Sequence, residues 1–322
     1  MKLKALLIGC GNVGAGYDLD RPGLVWSHAK AYSLNNEIEL TVSDIDADKA
    51  KKVAAAFNVK FLSEPDRKEY ENFHIISVAT PTTTHFEYLR DVLTGSSHVV
   101  ICEKPVVSRM KDADDIANIY KSGSSKVLVN YMRRFQPAYK TAKQKLNNEF
   151  HKKALRGIII KYSRGFLNNA SHAVDLLEFL FEEPFDFRGF HIQECEFDAF
   201  EHDPTLTGSC HYLNQPVSFS GISNITYPVF EIEIFYVDSK IVICHSGNEI
   251  RYYSKNANSL SEDYEKRQVD ILEKYMMPVI NEAVDLFFKR KTEDNFMPAL
   301  RINKCMLEII EPLKKHHVTT SN

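Results

Sequence analysis

The chain has 322 residues, of which 44% are hydrophobic and 26% charged, and its formal net charge is −3 at pH 7. This length exceeds the size at which one hydrophobic core usually keeps growing, so two domains are expected. The near-neutral charge gives no reason to expect a nucleic acid or a membrane surface as partner, and no apolar run reaches the ~18 residues of a membrane span. Six scattered cysteines without a CxxC pair, and a start without a signal-peptide cleavage region, predict a cytoplasmic protein with reduced thiols and no metal site.

The first fourteen residues combine a short apolar strand with a glycine-rich turn. Residues 2–8 read as a buried strand and run directly into a GxGxxG sequence. In a nucleotide-binding βαβ unit, Gly9 allows the tight turn, Gly11 lets the backbone approach a pyrophosphate, and Gly14 lets helix and strand pack closely. The phosphates would lie at the helix N-terminus, where free N–H groups favour anions. The turn therefore predicts cofactor binding by Gly9, Gly11, Asn12, Val13 and Gly14, and the alternative is a glycine turn without function.

The second strand is expected at Glu39–Ser43, and Asp44 closes it. A carboxylate there accepts hydrogen bonds from ribose hydroxyls and repels a 2′-phosphate. Because Ile45 and Asp46 offer no arginine for that phosphate, we predict NAD as the cofactor, with NADP less favoured, and include Ile45 in its binding site.

Asp44 lies later than the usual ~20 residues from the turn. The excess is residues 15–28, a polar segment that contains the only tryptophan. We interpret it as a loop inserted between the phosphate turn and the body of the first helix. It is expected to line the active-site cleft, with Tyr17 and Trp26 contacting substrate, and the alternative is a surface excursion with Trp26 tucked against the domain.

The remainder of the first domain alternates apolar strands with helical patterns, which predicts a parallel sheet. The expected helices are 47–57, 83–94 and 110–121, and the expected strands are 73–79, 98–102 and 126–130. Ligands in such sheets bind outside the carboxyl ends of the strands. Three polar clusters fall there: residues 80–85, 103–105 and 131–135.

The second half changes rhythm. A strand at 155–164 and a helix at 171–181 precede several β-rich runs, and short connections make these runs mostly antiparallel. Helical patterns are expected to return after Glu262, and the last of them, 297–313, is expected to pack back on the first domain. The predicted fold class is α/β: a Rossmann doubly wound parallel sheet in residues 1–130, then an α+β domain with an open, mostly antiparallel sheet in 131–322.

The alternation in Phe230–Tyr236 suggests that one face of this second sheet exposes apolar residues and forms a homodimer or homotetramer. The alternative is a half-buried sheet with a polar, solvated outer face.

Two side chains are candidates for proton transfer. Lys104 follows a strand end, where its ammonium can bind a hydroxyl or carbonyl oxygen; the alternative is a solvated lysine or an ion pair with Glu103. His172 is expected in the first turn of a helix capped by Ser171 or Asn169. Asp175, three residues further on the same face, can orient its ring, and the alternative is a core histidine.

Taken together, these clusters resemble the Gfo/Idh/MocA family of NAD(P)-dependent oxidoreductases, which act mostly on sugars and cyclitols. The resemblance spans nearly the whole chain, and Glu103-Lys104-Pro105 is its most specific element. It implies that Lys104 and His172 flank the carbon that exchanges hydride with the nicotinamide. Its further matching positions are Asp44, Ala79, Thr80, Pro81, His85, Glu103, Arg134, Pro137 and Asp175. The resemblance implies that Ala79, Thr80, Pro81, His85, Glu103 and Lys104 contact the cofactor.

One position departs from the family pattern. Many members have an aspartate where this chain has Asn168, and an amide cannot shuttle a proton. Asn168 is therefore expected to bind a substrate hydroxyl, with Arg134 and Asp175 as further substrate contacts. The resemblance to members found with surface-polysaccharide genes suggests a nucleotide sugar. The alternatives are a free-sugar or cyclitol dehydrogenase and a non-catalytic NAD-binding regulator.

Overall fold

The computed structural model describes residues 2–19, 21, 23–63, 65–95, 98–150, 154–255 and 262–320, with only the backbone within 262–266 and 315–320. The chain forms two compact units. The first is Met1–Phe135 with Glu273–Arg301, and the second is Gln136–Leu272 with Ile302–Asn322. Along the described residues, no helix combines the length and apolar character that crossing a membrane requires.

The first unit is a parallel sheet with helices. Its strands are β1 (Leu3–Ile8), β2 (Ile38–Ser43), β3 (Lys60–Phe61), β4 (Ile75–Val78), β5 (Val99–Cys102) and β6 (Lys126–Val129). Its helices are α1 (His28–Ser33), α2 (Ala47–Phe57), α3 (Arg67–Tyr70), α4 (Thr82–Leu93), α5 (Met110–Ser122) and, after the second unit, α8 (Met276–Phe287). The strand order β3-β2-β1-β4-β5-β6 is that of a doubly wound dinucleotide-binding sheet.

The position of α8 differs from the expected division of the chain. The sequence prediction assigned everything after residue 130 to the second domain, whereas 273–301 clusters with the first unit. The apolar face of α8 explains this, because Met276, Val279 and Ile280 are buried in the same core as Leu128 of β6. Sequence separation gave no sign of this contact.

The first helix is interrupted by the predicted insertion. The amide of His28, where α1 begins, donates to the carbonyl of Val13 at 3.1 Å, and Ala29 donates to Gly14 at 2.8 Å. These bonds join α1 to the helical turn that follows the glycine loop, as if the intervening residues were absent. The predicted insertion between the phosphate turn and the helix body is thus confirmed.

The outer edge of β6 is covered by two side chains that precede the last helix, α9 (Phe296–Thr320). The amide group of Asn295 pairs with both backbone groups of Val129, at 2.8 and 2.9 Å. Asp294 Oδ2 accepts from the Val127 amide at 2.9 Å and from the Tyr120 hydroxyl at 2.7 Å. Side chains therefore replace the next strand at this edge.

The second unit is an open sheet of eight strands. They are β7 (Leu155–Tyr162), β8 (His191–Glu196), β9 (Thr205–Tyr212), β10 (Gln215–Gly221), β11 (Phe230–Tyr236), β12 (Ser239–Cys244), β13 (Glu249–Lys255) and β14 (Glu262–Gln268). The order is β14-β13-β12-β11-β7-β10-β9-β8, and the pairing of β7 with β10 is parallel while the other pairs are antiparallel. Its helices are α6 (Pro137–Lys145), α7 (Ser171–Phe181) and α9 from Ile302 onward.

Two expectations for this unit differ in part from the structure. Helical structure was expected to return after Glu262, and it does so in α8 and in the last helix, 296–320, but residues 262–268 first form β14, which pairs with β13 and extends the sheet edge. An apolar outer face was expected at β11, but Phe230, Ile232 and Ile234 are buried within this unit. The opposite side carries Glu231, Glu233 and the half-buried Phe235, so most of this side of the strand is polar.

Charge on that side of β11 is locally balanced. Lys161 of β7 lies 2.7 Å from Glu233 and 3.8 Å from Glu231. The hydrogen bond from the Lys161 ammonium to Glu233 raises the pKa of this lysine. Cross-strand pairing of opposite charges therefore replaces apolar contact at this position.

Candidate active site

The three glycines of the phosphate turn have three different environments. Gly9 has φ +98°, and a Cβ there would lie 2.5 Å from the carbonyl oxygen of Ala79. A Cβ on Gly14 would lie 2.0 Å from the carbonyl oxygen of Gly9, whereas one on Gly11 would meet nothing within 4 Å. Only Gly11 thus opens onto free space, which is the cradle that a pyrophosphate requires.

The carboxylate of Asp44 closes this turn from the next strand. Its Oδ2 accepts from the Cys10 amide at 2.7 Å, and its Oδ1 accepts from the Asp46 amide at 3.0 Å. Lys49 Nζ lies 3.8 Å from Oδ2, and the neighbouring Ile45 is 85% exposed. Burial, with Asp44 nearby, raises the pKa of the Cys10 thiol to about 12, so this cysteine stays protonated at neutral pH.

The predicted cofactor residue His85 is buried between two loops that follow neighbouring strands. Its ring is buried, with Nε2 2.8 Å from the carbonyl oxygen of Thr80 and Nδ1 2.9 Å from that of Pro105. Burial lowers the pKa of His85, although both carbonyl contacts oppose this. The histidine ties the loop after β4, which also contains half-buried Ala79 and exposed Pro81, to the loop after β5.

Glu103, beside Lys104, is a buried carboxylate with two close partners. Its Oε1 lies 2.6 Å from Nδ2 of Asn130 and 2.9 Å from Nε2 of His28. Burial alone would raise the pKa of Glu103, but the bonds from His28 and Asn130, with the charge of Lys104, hold it below its ordinary value. An ionised carboxylate thus lies next to Lys104, whose side chain is half-buried.

The inserted segment is held by its own aspartate. Asp18 is 4% exposed, and its Oδ2 accepts from the amides of Trp26 and Ser27 at 2.8 and 2.6 Å. Ser27 is in turn the N-cap of α1, because its hydroxyl accepts from the Lys30 amide. The segment therefore has a defined conformation where it rejoins the helix; Asp20 lies outside the described residues.

The two aromatic residues of the insertion differ in role. The Trp26 ring stacks on Tyr275 with a centroid distance of 6.4 Å, and the guanidinium of Arg21 lies 5.7 Å from its centroid. Tyr17 is 39% exposed. Trp26 therefore anchors the insertion against the segment before α8, and Tyr17 is the more accessible of the two predicted substrate contacts.

In the second unit, His172 lies one residue into α7, after a π-helical turn at Phe166–Ala170. Asp203 accepts from the amides of Leu167 and Asn168, both at 2.7 Å. The predicted caps are wrong: the N-cap of α7 is Ala170, without a side-chain bond. No side-chain cap is needed because the helix continues directly from the preceding turn. The side-chain amide of Asn169 instead donates to the carbonyl of Ser163 at 2.8 Å.

The remaining predicted site residues have different exposures. His172 is 8% exposed, and its ring is perpendicular to that of Phe230 at a centroid distance of 6.4 Å. Asp175 is 1% exposed, while Asn168 and, in the first unit, Arg134 are half-buried. Because Asp175 is buried, its carboxylate can interact with neighbouring side chains of this unit, but very little of it is accessible to a ligand.

One cluster in the second unit has the residue types of a metal site: Cys244, His245 and Glu249. Its carboxylate is already paired, since Arg251 and Arg267 lie 2.7 and 2.5 Å from Glu249 and His245 lies at 2.6 Å. The pKa of Glu249 is lowered to about 2, mainly by the hydrogen bond from Arg251, although desolvation of the carboxylate acts in the opposite direction. The arrangement is an ion-pair network.

Sequence reasoning missed several residues that shape these sites. Asn130 follows β6, so its position at a strand end was a usable signal for a side chain that reaches Glu103. His28 was noted only as part of the insertion, and nothing in the pattern linked it to Glu103. Tyr275 and Asp203 lie far from their partners along the chain, and their local sequence gave no signal.

A doubly wound parallel sheet with a glycine turn after its first strand defines the first unit as a dinucleotide-binding Rossmann domain. Residues 3–131 match the model of the GFO_IDH_MocA oxidoreductase family with an NAD-binding Rossmann fold. The match lies within the first unit, and there the chain is similar to the Gfo/Idh/MocA oxidoreductases.

An uncharacterized oxidoreductase of Schizosaccharomyces pombe is 30% identical over 99 residues, which are 30% of this chain and 27% of the yeast protein. The chain thus matches about a quarter of that relative's length.

Three solved structures share the fold of the whole chain. UDP-N-acetylglucosamine 3-dehydrogenase GnnA from Acidithiobacillus ferrooxidans has a TM-score of 0.72 at 16% identity, over 96% of both chains. A 3-ketoreductase from Actinomadura kijaniata, in complex with NADP, has a TM-score of 0.72 at 10% identity, over 95% of this chain and 96% of its own. A putative myo-inositol dehydrogenase from Sinorhizobium meliloti has a TM-score of 0.68 at 17% identity, over 94% and 95%.

Proposed function

We propose that the protein transfers hydride between a nicotinamide dinucleotide and a secondary alcohol or ketone of a sugar, with a nucleotide sugar as the leading substrate class. The observation that carries the proposal is that three loops meet at the carboxyl ends of adjacent strands. Gly11, which is open to free space, follows β1; Thr80 follows β4; and Lys104 follows β5. Ligands of doubly wound sheets bind at these strand ends.

The residues of the turn fit a bound dinucleotide, because its backbone is open at Gly11 and it follows β1 directly. When bound, the cofactor supplies the hydride acceptor or donor. The ammonium of Lys104 holds the substrate oxygen by a hydrogen bond and moves a proton at that atom, so that charge on the oxygen is neutralised. Glu103, held by His28 and Asn130, keeps a negative charge next to this lysine.

His172 is the second proton-carrying residue of the proposal. Its support is the resemblance of the residues around Ser171-His172 to the family pattern, and its place in the first turn of α7. Asn168 takes the role of a hydrogen-bonding contact to a substrate hydroxyl. With an amide at that position, acid–base work rests on Lys104 and His172.

NAD is the proposed cofactor, and Asp44 is the reason. Its carboxylate is oriented by two backbone amides beside the phosphate turn, where it favours ribose hydroxyls over a 2′-phosphate. Lys49 opposes this preference, since its ammonium lies 3.8 Å from the same carboxylate and would attract that phosphate. We therefore expect a moderate preference for NAD.

Calorimetric titration with NAD⁺ and NADP⁺ tests this preference directly. The Asp44→Ser variant is expected to gain NADP⁺ affinity, and adding Lys49→Met is expected to remove that gain. Lys52→Met, on the same helix, is the matched control. Tighter binding of NADP⁺ than of NAD⁺ by the unaltered protein would refute the assignment.

Turnover assays separate the candidate substrates. NAD⁺ reduction is followed at 340 nm with UDP- and TDP-linked sugars, free sugars and inositols, and Lys104→Met is the control that removes the proposed proton donor. A cyclitol substrate is the second candidate, supported by the likeness to the putative myo-inositol dehydrogenase. Binding of NAD⁺ without turnover of any compound would favour a regulatory role, for which Asn168 is the supporting residue.

Assembly and location complete the proposal. A homodimer or homotetramer is expected because closed symmetric assemblies are common, although the polar side of β11 removes the apolar face that first suggested one. Light scattering that shows a monomer at micromolar concentration would contradict it. A cytoplasmic location is supported by the free state of all six cysteines.

A further inference from the structure

The residue at which the insertion rejoins the first helix contacts the carboxylate beside Lys104. His28 is completely buried, and its Nε2 lies 2.9 Å from Oε1 of Glu103. Glu103 is ionised and accepts only, so Nε2 carries the hydrogen and His28 is the donor. Among the described residues, Nδ1 of His28 has no hydrogen-bond partner, so the bond to Glu103 is the polar contact of this ring.

A buried carboxylate needs such donors. Glu103 is 8% exposed, and the bond from Asn130 at 2.6 Å is the other donor contact to the same oxygen. Removing one donor of a buried ionised group leaves it under-bonded, and the group then takes up a proton or moves. Either change acts on Lys104, which follows Glu103 in the chain.

The insertion determines where His28 lies. Asp18 binds the amides of Trp26 and Ser27, and Ser27 caps the helix that His28 begins. The His28 amide is also bonded to the carbonyl of Val13 in the turn after the phosphate loop. The ring therefore reaches Glu103 from a backbone that is fixed on both sides.

We infer that His28 is a positioning residue through which the inserted segment holds Glu103 and thereby Lys104. This inference rests on the proposed function, in which Lys104 carries the proton. The charged or titratable groups around Glu103 are His28, Lys104, His85, Tyr275 and Cys102.

The test measures Lys104 itself and needs no substrate. The full-length protein is labelled with trace acetic anhydride between pH 7 and 10, and the rate at Lys104 is read by peptide mass spectrometry relative to Lys126. His28→Leu is expected to speed acetylation of Lys104 about threefold or more, because a Glu103 that takes up a proton or moves away stabilises the charged ammonium less and leaves more free amine. A less firmly held side chain changes the rate in the same direction.

Two variants separate positioning from general loosening. His28→Gln retains a donor at the place of Nε2 and is expected to restore the rate to that of the unaltered protein. His98→Leu removes another buried histidine, just before the other end of β5, and is expected to leave the Lys104-to-Lys126 ratio unchanged. Equal acetylation in His28→Leu and the unaltered protein, or an equal increase in His98→Leu, would overturn the inference.

A variant of the insertion gives the same test if His28→Leu does not fold. Asp18→Asn weakens the clamp on Ser27 and is expected to raise Lys104 acetylation in the same direction, and an unchanged rate would overturn the inference. If Lys104→Met keeps full turnover, the proposed function fails while the labelling result stands. The two failures are therefore distinguishable.

Discussion

Alanine at Gly11 and at Gly14 should have opposite effects on folding and on cofactor binding. The added methyl at Gly11 meets no atom within 4 Å, whereas at Gly14 it would lie 2.0 Å from the carbonyl oxygen of Gly9. Overpacking typically costs about 1–3 kcal/mol, and a clash with backbone is expected at the upper end of that range. A Gly→Ala change at an unstrained position instead adds about 0.4–1 kcal/mol of stability by restricting the unfolded chain.

For cofactor binding, the substitution at Gly11 should be the damaging one. Gly11→Ala is expected to fold at least as stably as the unaltered protein but to bind NAD⁺ about 10- to 100-fold more weakly, because the methyl occupies the phosphate position and displaces one charge-assisted hydrogen bond of about 1.5–3 kcal/mol. Urea unfolding followed by circular dichroism gives the stability, and calorimetry gives the affinity. Unchanged NAD⁺ affinity in Gly11→Ala, with folding intact, would refute phosphate binding at this turn.

Three further predictions concern catalysis, pH and the insertion. Lys104→Ala and His172→Ala should each keep folding and NAD⁺ binding while lowering turnover about 10²- to 10⁴-fold; a His172 variant that unfolds or stays fully active would support the core-histidine interpretation. Because the pKa of Glu249 falls from 4.5 to about 2 on folding, its contribution is full above pH 4.5 and lost as the pH falls through 2. That contribution is at most about 3 kcal/mol, and it is smaller because the arginines that pair with Glu249 are partly exposed. In urea unfolding, Glu249→Gln should weaken the pH dependence of the free energy of unfolding over this range, whereas Glu231→Gln should leave it unchanged. Equal pH dependence in the two variants would contradict the prediction. Shortening residues 17–25 to two glycines should raise KM for the identified substrate about tenfold, a loss of ~1.4 kcal/mol, and change NAD⁺ affinity less; an unchanged kcat/KM would show that the insertion has no part in substrate capture.

The local patterns of the first unit predicted its architecture because each rests on short-range chemistry. A buried apolar run ending in glycine predicted β1 and its turn, and Asp46 caps α2 as expected of an aspartate before a helix. The insertion was visible as extra length before Asp44. Such features depend on neighbours in the chain.

Contacts between distant residues were not predictable in the same way. The segment 262–268 has a polar sequence whose strand state comes from pairing with β13, which no local periodicity reveals. His28 and Glu103 are buried together because the insertion rejoins the first helix at His28. This contact depends on the tertiary structure, which the local sequence does not reveal. His85 matched a family motif, yet both ring nitrogens are taken by backbone carbonyls, so its match did not indicate ligand contact.

The edge of β6 has a consequence for how this protein behaves in concentrated solution. An uncovered edge strand offers free N–H and C=O groups to any extended chain, and pairing between copies then leads to aggregation. Asn295 and Asp294 occupy those groups at Val129 and Val127 with side chains, which cannot propagate a ladder. The parallel sheet therefore ends at this side without a further strand, and growth of the sheet from one molecule into the next is blocked there.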